Sequence, residues 1–173
     1  MIKLLAMKNI FITILILTPF FIFSQVGIGK SSVDGDGILD FENPAKGGII
    51  LPAVTTLPTG SAATNGTILY DYTNGRVKIR QNNVWENLTP KLGDTSDINL
   101  NTSPESGNGV IIGANSSSAD GVLVLESQTK ALILPKIDQP HLNLVNPHPG
   151  TMCYDTYNKA IAVFDGSKWY FYK

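Results

Sequence analysis

The chain has 173 residues, enough for one domain or two small ones, and only 16% of them are charged, below the roughly 25% of an average globular protein. The formal net charge is −1 with no block of like charge, so no basic stripe is available to neutralise phosphates, and a nucleic-acid partner is not expected. Gly, Asn, Ser and Thr fill the gaps between short apolar runs, the composition of a turn-rich β protein, and no polybasic or amphipathic helix points to a membrane surface.

The first predicted element is a leader. Lys3 and Lys8 precede an apolar run from Ile10 to Phe23 that is interrupted only by Thr13, Thr18 and Pro19, and the run ends at Ser24-Gln25. A basic start, an apolar core and a small residue before a polar one predict a secretory signal peptide over residues 1–24, cleaved after Ser24 or Gln25. The run is shorter than the roughly 20 residues of a spanning helix, so no membrane span is expected once the leader is removed. No Cys stands behind the apolar core, which closes the lipoprotein route. Losing Lys3 and Lys8 shifts the formal net charge from −1 to −3. The expected location is secreted, at the cell surface or in the periplasm of a bacterium.

An internal repeat organises the rest. Val26-Gly27-Ile28-Gly29 returns 84 positions on as Val110-Ile111-Ile112-Gly113, and Asp36-Gly37-Ile38-Leu39 as Asp120-Gly121-Val122-Leu123. Glu42, Lys46, Asn74 and Trp85 return at the same offset as Glu126, Lys130, Asn158 and Trp169. Gly66 to Asp71 returns as Gly150 to Asp155, and Ile50-Leu51-Pro52 as Ile133-Leu134-Pro135 with a slip of one residue. The predicted domains are a β repeat at 26–88, a polar linker at 89–108 and a second β repeat at 109–173.

Within each repeat, strands are predicted at Ile38 to Phe41 and Val122 to Leu125, then at Gly48 to Leu51 and Leu132 to Leu134, each of the latter halted by a Pro. Ile49 to Leu51 and Leu132 to Leu134 are continuously apolar, which suits burial on both sides. Thr67 to Tyr72 is a strand, and Asn74-Gly75 is a strong hairpin turn because both residues tolerate positive φ. Arg76 to Arg80 returns, Asn82-Asn83 turns again and Trp85 opens the last strand; the second repeat does the same, with Asp165-Gly166 before Trp169. Each repeat thus ends in a three-stranded meander. The loops Ala53 to Asn65 and Lys136 to Pro149 are expected to be irregular, with a helical turn near Pro140 to Val145. The fold class is all-β: two short-stranded β-meander repeats joined by a polar linker, after an N-terminal signal peptide.

Each copy resembles a repeat of bacterial secreted and surface proteins and of some phage tail-fibre proteins. The likeness rests on Val26 to Gly29, Leu39 to Phe41, Lys46 to Pro52, Gly66 to Asp71 and Trp85, and on Lys130 to Pro135, Gly150 to Thr156 and Gly166 to Trp169. An Arg usual after the Pro is replaced by Ala53 and Lys136, and Ala131 stands where the first copy has Gly47. The resemblance implies a structural or adhesion-type role rather than an enzyme, fibre-like and trimeric.

No residue is assigned a catalytic, cofactor-binding or metal-binding role, and no cofactor is expected. Gly29-Lys30-Ser31 mimics the end of a phosphate-binding loop, but Ser24 stands where that motif needs Gly. Asp34-Gly35-Asp36-Gly37 looks like part of a calcium loop, yet an EF-hand frame puts Asn43 where Glu is required, so it reads as a turn. His141, His148 and Cys153 lack the further ligands that zinc needs, and Cys153, aligned with Leu69, is expected to be a small buried apolar residue. No Ser-His-Asp set appears. Alternation puts Trp169 and Phe171 on one face of a strand and Tyr170 and Tyr172 on the other. Such aromatic residues keep a second reading open, an extracellular carbohydrate-binding module or small polysaccharide-acting hydrolase with a surface glycan as partner. Trp85 stands alone at the place of Trp169, which argues that both Trp residues are core. Repeats of about 60 residues are marginal by themselves, and without a disulfide or metal the expected remedy is association into a homo-oligomer, the alternative being that the two repeats pack on each other within one chain, which the linker permits.

The leader prediction is checked by intact mass. Protein recovered from periplasm or medium should begin at Gln25 or Val26; a mass that retains residues 1–24 would refute processing at this site.

Overall fold

The computed structural model describes residues 25–100, 103, 107 and 109–173; the expected signal peptide at 1–24 and most of 101–108 lie outside the described residues. In chain order the strands are β1 (Val26–Ile28), β2 (Gly37–Phe41), β3 (Ile49–Ile50), β4 (Ala53–Val54), β5 (Ile68–Asp71), β6 (Arg76–Gln81) and β7 (Val84–Asn87). They continue as β8 (Val110–Ile112), β9 (Leu123–Leu125), β10 (Ala131–Leu132), β11 (Lys136–Ile137), β12 (Thr151–Asp155), β13 (Ala160–Phe164) and β14 (Trp169–Tyr172). The helical content among the described residues is a 3-10 turn at Gly60–Ala63 and one turn of helix, α1 (Pro140–Asn143), with Pro in its first turn where no backbone donor is lost. No helix among the described residues is long and apolar enough to cross a membrane. The chain is all-β, as its composition predicts.

Four strands form a first meander in the order β4-β5-β6-β7, and four more form a second in the order β11-β12-β13-β14. In each, the first pair is parallel and the rest antiparallel. The opening of each repeat is also alike: β1 runs parallel to β2 with Val26 opposite Leu39, and β8 parallel to β9 with Val110 opposite Leu123. Strands β4 and β11 fall in segments expected to be irregular. They form because the prolines before them still accept: Tyr70 donates its N–H to the Pro52 carbonyl at 2.9 Å, and Tyr154 to that of Pro135 at 2.8 Å.

The first hairpin turns through Asn74-Gly75, as expected. Asp71 pairs with Arg76, so four residues make the turn, and positive φ occurs at Gly75 but not at Asn74. The Asp71 carboxylate closes it by accepting from the Asn74 N–H at 3.2 Å and the Asn74 side-chain amide at 2.7 Å. Asp155 and Asn158 close the second hairpin in the same way, at 3.2 and 2.7 Å. The Asn82-Asn83 turn is the tight one, with φ of 51° and 60° and Gln81 opposite Val84.

The halves of the chain interleave. Strand β3 adds to the second meander, antiparallel to β12, while β10 adds parallel to β2 in the N-terminal half. Both are edge additions, so the continuously apolar segments are not buried on both sides: Ile50 is 56% exposed, whereas its neighbour Leu51 is buried. The main core joins Leu51, Tyr70 and Val77 of the N-terminal half to Met152 and Val163 of the second meander, with Ile98 between them. A smaller cluster of Ile137, Cys153 and Ala162 lies on the other face of the second meander, under Leu144, Ala45 and Trp169.

The segment expected to be a polar linker begins as packed structure. Thr89 is fully buried, its hydroxyl accepting from the Val77 N–H at 3.0 Å, and Ile98 and Leu100 pack into the main core. Between them the chain passes through a slot at Gly93, whose N–H donates to the Gly75 carbonyl at 2.7 Å. A Cβ on Gly93 would stand 1.6 Å from the Asp165 carbonyl oxygen, and one on Gly75 would stand 2.7 Å from the Gly93 oxygen. Glycine is therefore required where the linker threads between the hairpin of the first meander and the β13–β14 turn of the second.

Replacing Gly93 by Ala should cost about 3 kcal/mol, since the obstructing atoms are backbone and cannot swing away. Gly47→Ala, where a Cβ meets nothing within 4 Å, should be close to neutral. Thermal melting of the two variants is the measurement, and equal melting temperatures would contradict the slot.

Candidate functional site

The residues singled out by motif resolve one by one into structural roles. Lys30, at the centre of the phosphate-loop mimic, places its Nζ 2.5 Å from Asp40 Oδ2 and 2.9 Å from Asp34 Oδ2. The Asp34 N–H also donates to Asp40 Oδ2 at 2.8 Å, and the Phe41 N–H to Oδ1 at 2.9 Å. Burial alone would push the Asp40 carboxyl up, but the Asp34 N–H, the Lys30 ammonium and the Phe41 N–H together hold it below the usual range. The ammonium thus takes the place that a cation would fill among these aspartates. At the positions 84 residues on, both partners are absent together, with Ala114 for Lys30 and Val124 for Asp40.

His141, His148 and Cys153 do not form a ligand set. The His141 ring meets the Phe171 ring edge-on at 5.9 Å, and His148 Nδ1 lies 2.8 Å from the Pro149 carbonyl oxygen. Cys153 is fully buried, and burial, followed by the negative charge of Asp155, pushes its thiol up to about 12. Among the described residues no three His, Cys, Asp or Glu side chains are placed to hold a metal ion.

The aromatic strand β14 divides as alternation predicts. Trp169 lies opposite Phe164 and packs on the smaller cluster, with ring centroids 5.2 Å apart, while Tyr172 joins the main core from the other face. The two Trp residues are half-buried rather than core, and they are not equivalent. Trp85 lies beneath the Arg80 guanidinium at 5.7 Å and donates its indole N–H to the Pro58 carbonyl at 3.3 Å, whereas Trp169 covers Cys153 and Ala162.

What the motifs missed is the seam between the meanders. Tyr70 is completely buried and donates its hydroxyl to the Asp165 carbonyl at 2.8 Å. Reciprocally, the Tyr172 hydroxyl donates to the Leu88 carbonyl. Burial first, and then the charge of Asp165, pushes the Tyr70 phenol up to about 12. Asp165 is itself buried, its Oδ1 accepting from the Ser167 and Lys168 N–H groups at 2.7 Å each. No spacing rule announces a tyrosine that bonds a carbonyl 95 positions away.

These groups fix a pH dependence. Tyr70 and Cys153 start from 10.0 and 9.0 and rise to about 12 in the folded chain, so between those limits the folded state keeps protons that the unfolded state releases. Stability is therefore complete below about pH 9 and falls as pH climbs toward 12. Denaturant titrations at pH 8, 9, 10 and 11 should show that decline, with its onset moved upward in Cys153→Ala. A profile flat to pH 11 would contradict the burial of both groups.

Comparison with known proteins supplies one finding. Residues 111–173, from β8 to the residue after β14, match the family described as the phage tail like trimerisation region. No curated protein and no solved structure matches the chain significantly. The match takes in β9 to β14 whole, so the segment that it likens to a trimerisation region is the one that carries the second meander.

Proposed function

We propose that this chain is an exported, non-enzymatic structural protein made of two copies of one β repeat, and that it works as a homotrimer in a fibre-like or adhesive assembly at the bacterial surface. The observation that carries the reading is the match of residues 111–173 to a phage tail like trimerisation region. Two features support it. The carboxylates of Asp71 and Asp155 and Oδ1 of Asp165 are engaged in turns, and Lys30 is engaged by Asp34 and Asp40. The aromatic strand spends Trp169 and Tyr172 on internal packing rather than on a groove for sugar. The division at 26–88, 89–108 and 109–173 describes the origin of the repeats in sequence, and the packed folding unit is their combination.

Light scattering after size exclusion, at low micromolar concentration of the exported chain, is the test. The expected mass is that of three chains. A cooperatively folding monomer would overturn the trimer and leave the two halves as each other's only partners.

A further inference from the structure

We infer that the face of the second meander around Tyr154 and Ile161 is the surface on which a second copy of this chain docks. The inference rests on the trimer reading and names its contact. Within one chain, Tyr70 and Val77 are direct cross-strand partners and both are 0% exposed, because Met152 and Val163 of the second meander pack over them. The residues at the same places in the second meander are Tyr154 and Ile161, again direct cross-strand partners. Here the cover is missing: Tyr154 is half-buried and Ile161 is 41% exposed. Conversely, the first-meander counterparts of Met152 and Val163 are Ile68 and Ile79, which pair with each other and are each half-buried.

The intrachain contact therefore joins unlike surfaces, the hairpin end of one meander and the far end of the other. It uses one surface of each kind and leaves the other of each kind only partly covered, with Ile68 packing at the margin of the main core and Ile161 exposed. Contacts between unlike patches repeat from copy to copy and form a ring where the rotation closes. The chemistry of the exposed surface matches the occupant: an apolar residue beside a tyrosine, the pairing that its own chain already covers elsewhere with two aliphatic residues. Docking Ile68 and Ile79 of the next chain on Tyr154 and Ile161 reproduces the core contact between chains. By the same correspondence the Tyr154 hydroxyl meets the Gln81 carbonyl of that next chain, as Tyr70 meets Asp165. The opposite face of the second meander is covered over Ile137, Cys153 and Ala162 by Leu144, Ala45 and Trp169 of the same chain. Both Tyr154 and Ile161 fall inside the segment that matches the trimerisation region.

The test compares the exported chain with Ile161→Glu and with Leu142→Glu, a 65% exposed position on α1 at the covered face. All three are followed by light scattering, and circular dichroism checks that each is folded. The expected result is a trimer for the parent and for Leu142→Glu, and a folded monomer for Ile161→Glu. If Ile161→Glu does not fold, Ile161→Ala should raise the concentration at which the trimer half-dissociates by about tenfold or more, the equivalent of one lost apolar anchor. A parent trimer that survives both Ile161 substitutions would overturn the surface and leave the trimer standing. A parent monomer would overturn both readings.

Discussion

Tyr70 sits where neither half of the chain could enclose it alone. Leu51 and Val77 flank it from the N-terminal half, and Met152 and Val163 complete its surroundings from the second meander. A repeat of this size has too few strands to fold a sheet around its own interior, and domains of about 60 residues bury too little surface to be stable without a staple. Here the staple is the other repeat. The core, the exchange of β3 and β10 and the two tyrosine bonds across the seam all follow from that shortage.

The linker belongs to the same solution. A tether that only joined two finished domains could be any polar sequence. This one carries Thr89, Ile98 and Leu100 into the shared core and squeezes Gly93 through a gap lined by the Asp165 backbone. Its exposed residues, such as Leu92 and Asp94, give it the composition of a loop, while its buried ones fix the distance between the meanders.

Much of the meander was legible because its determinants are local. The return of Gly66 to Asp71 as Gly150 to Asp155, the turn residues and the Trp positions place β5 to β7 and β12 to β14 within a residue or two. The strands β4 and β11 were not, since they are two residues long and each is held through the carbonyl of the preceding Pro and that of its own last residue, Val54 or Ile137. The seam was not legible either, because Tyr70 and Tyr154 are the same residue in the same motif and differ only in what covers them. Likewise, Trp85 and Trp169 share an offset but face different neighbours, Arg80 and Pro58 in one case and Cys153 and Ala162 in the other. Ile98 and Leu100, alternating in a polar stretch, were the one sign that the linker had a buried side. The phosphate-loop mimic around Lys30 lacks its Gly in the sequence, and in the fold the ammonium is engaged by Asp34 and Asp40.

The seam has a kinetic meaning. Tyr70 bonds a residue 95 positions downstream, and Tyr172 bonds one 84 positions upstream. Contacts of such separation pay a large loop-closure entropy before any reward arrives, which makes folding slow and late. During synthesis at about 5–20 residues per second, the first meander emerges several seconds before the strand that buries Tyr70. An incomplete chain of this kind cannot complete its main core until the strands that carry Met152 and Val163 are made.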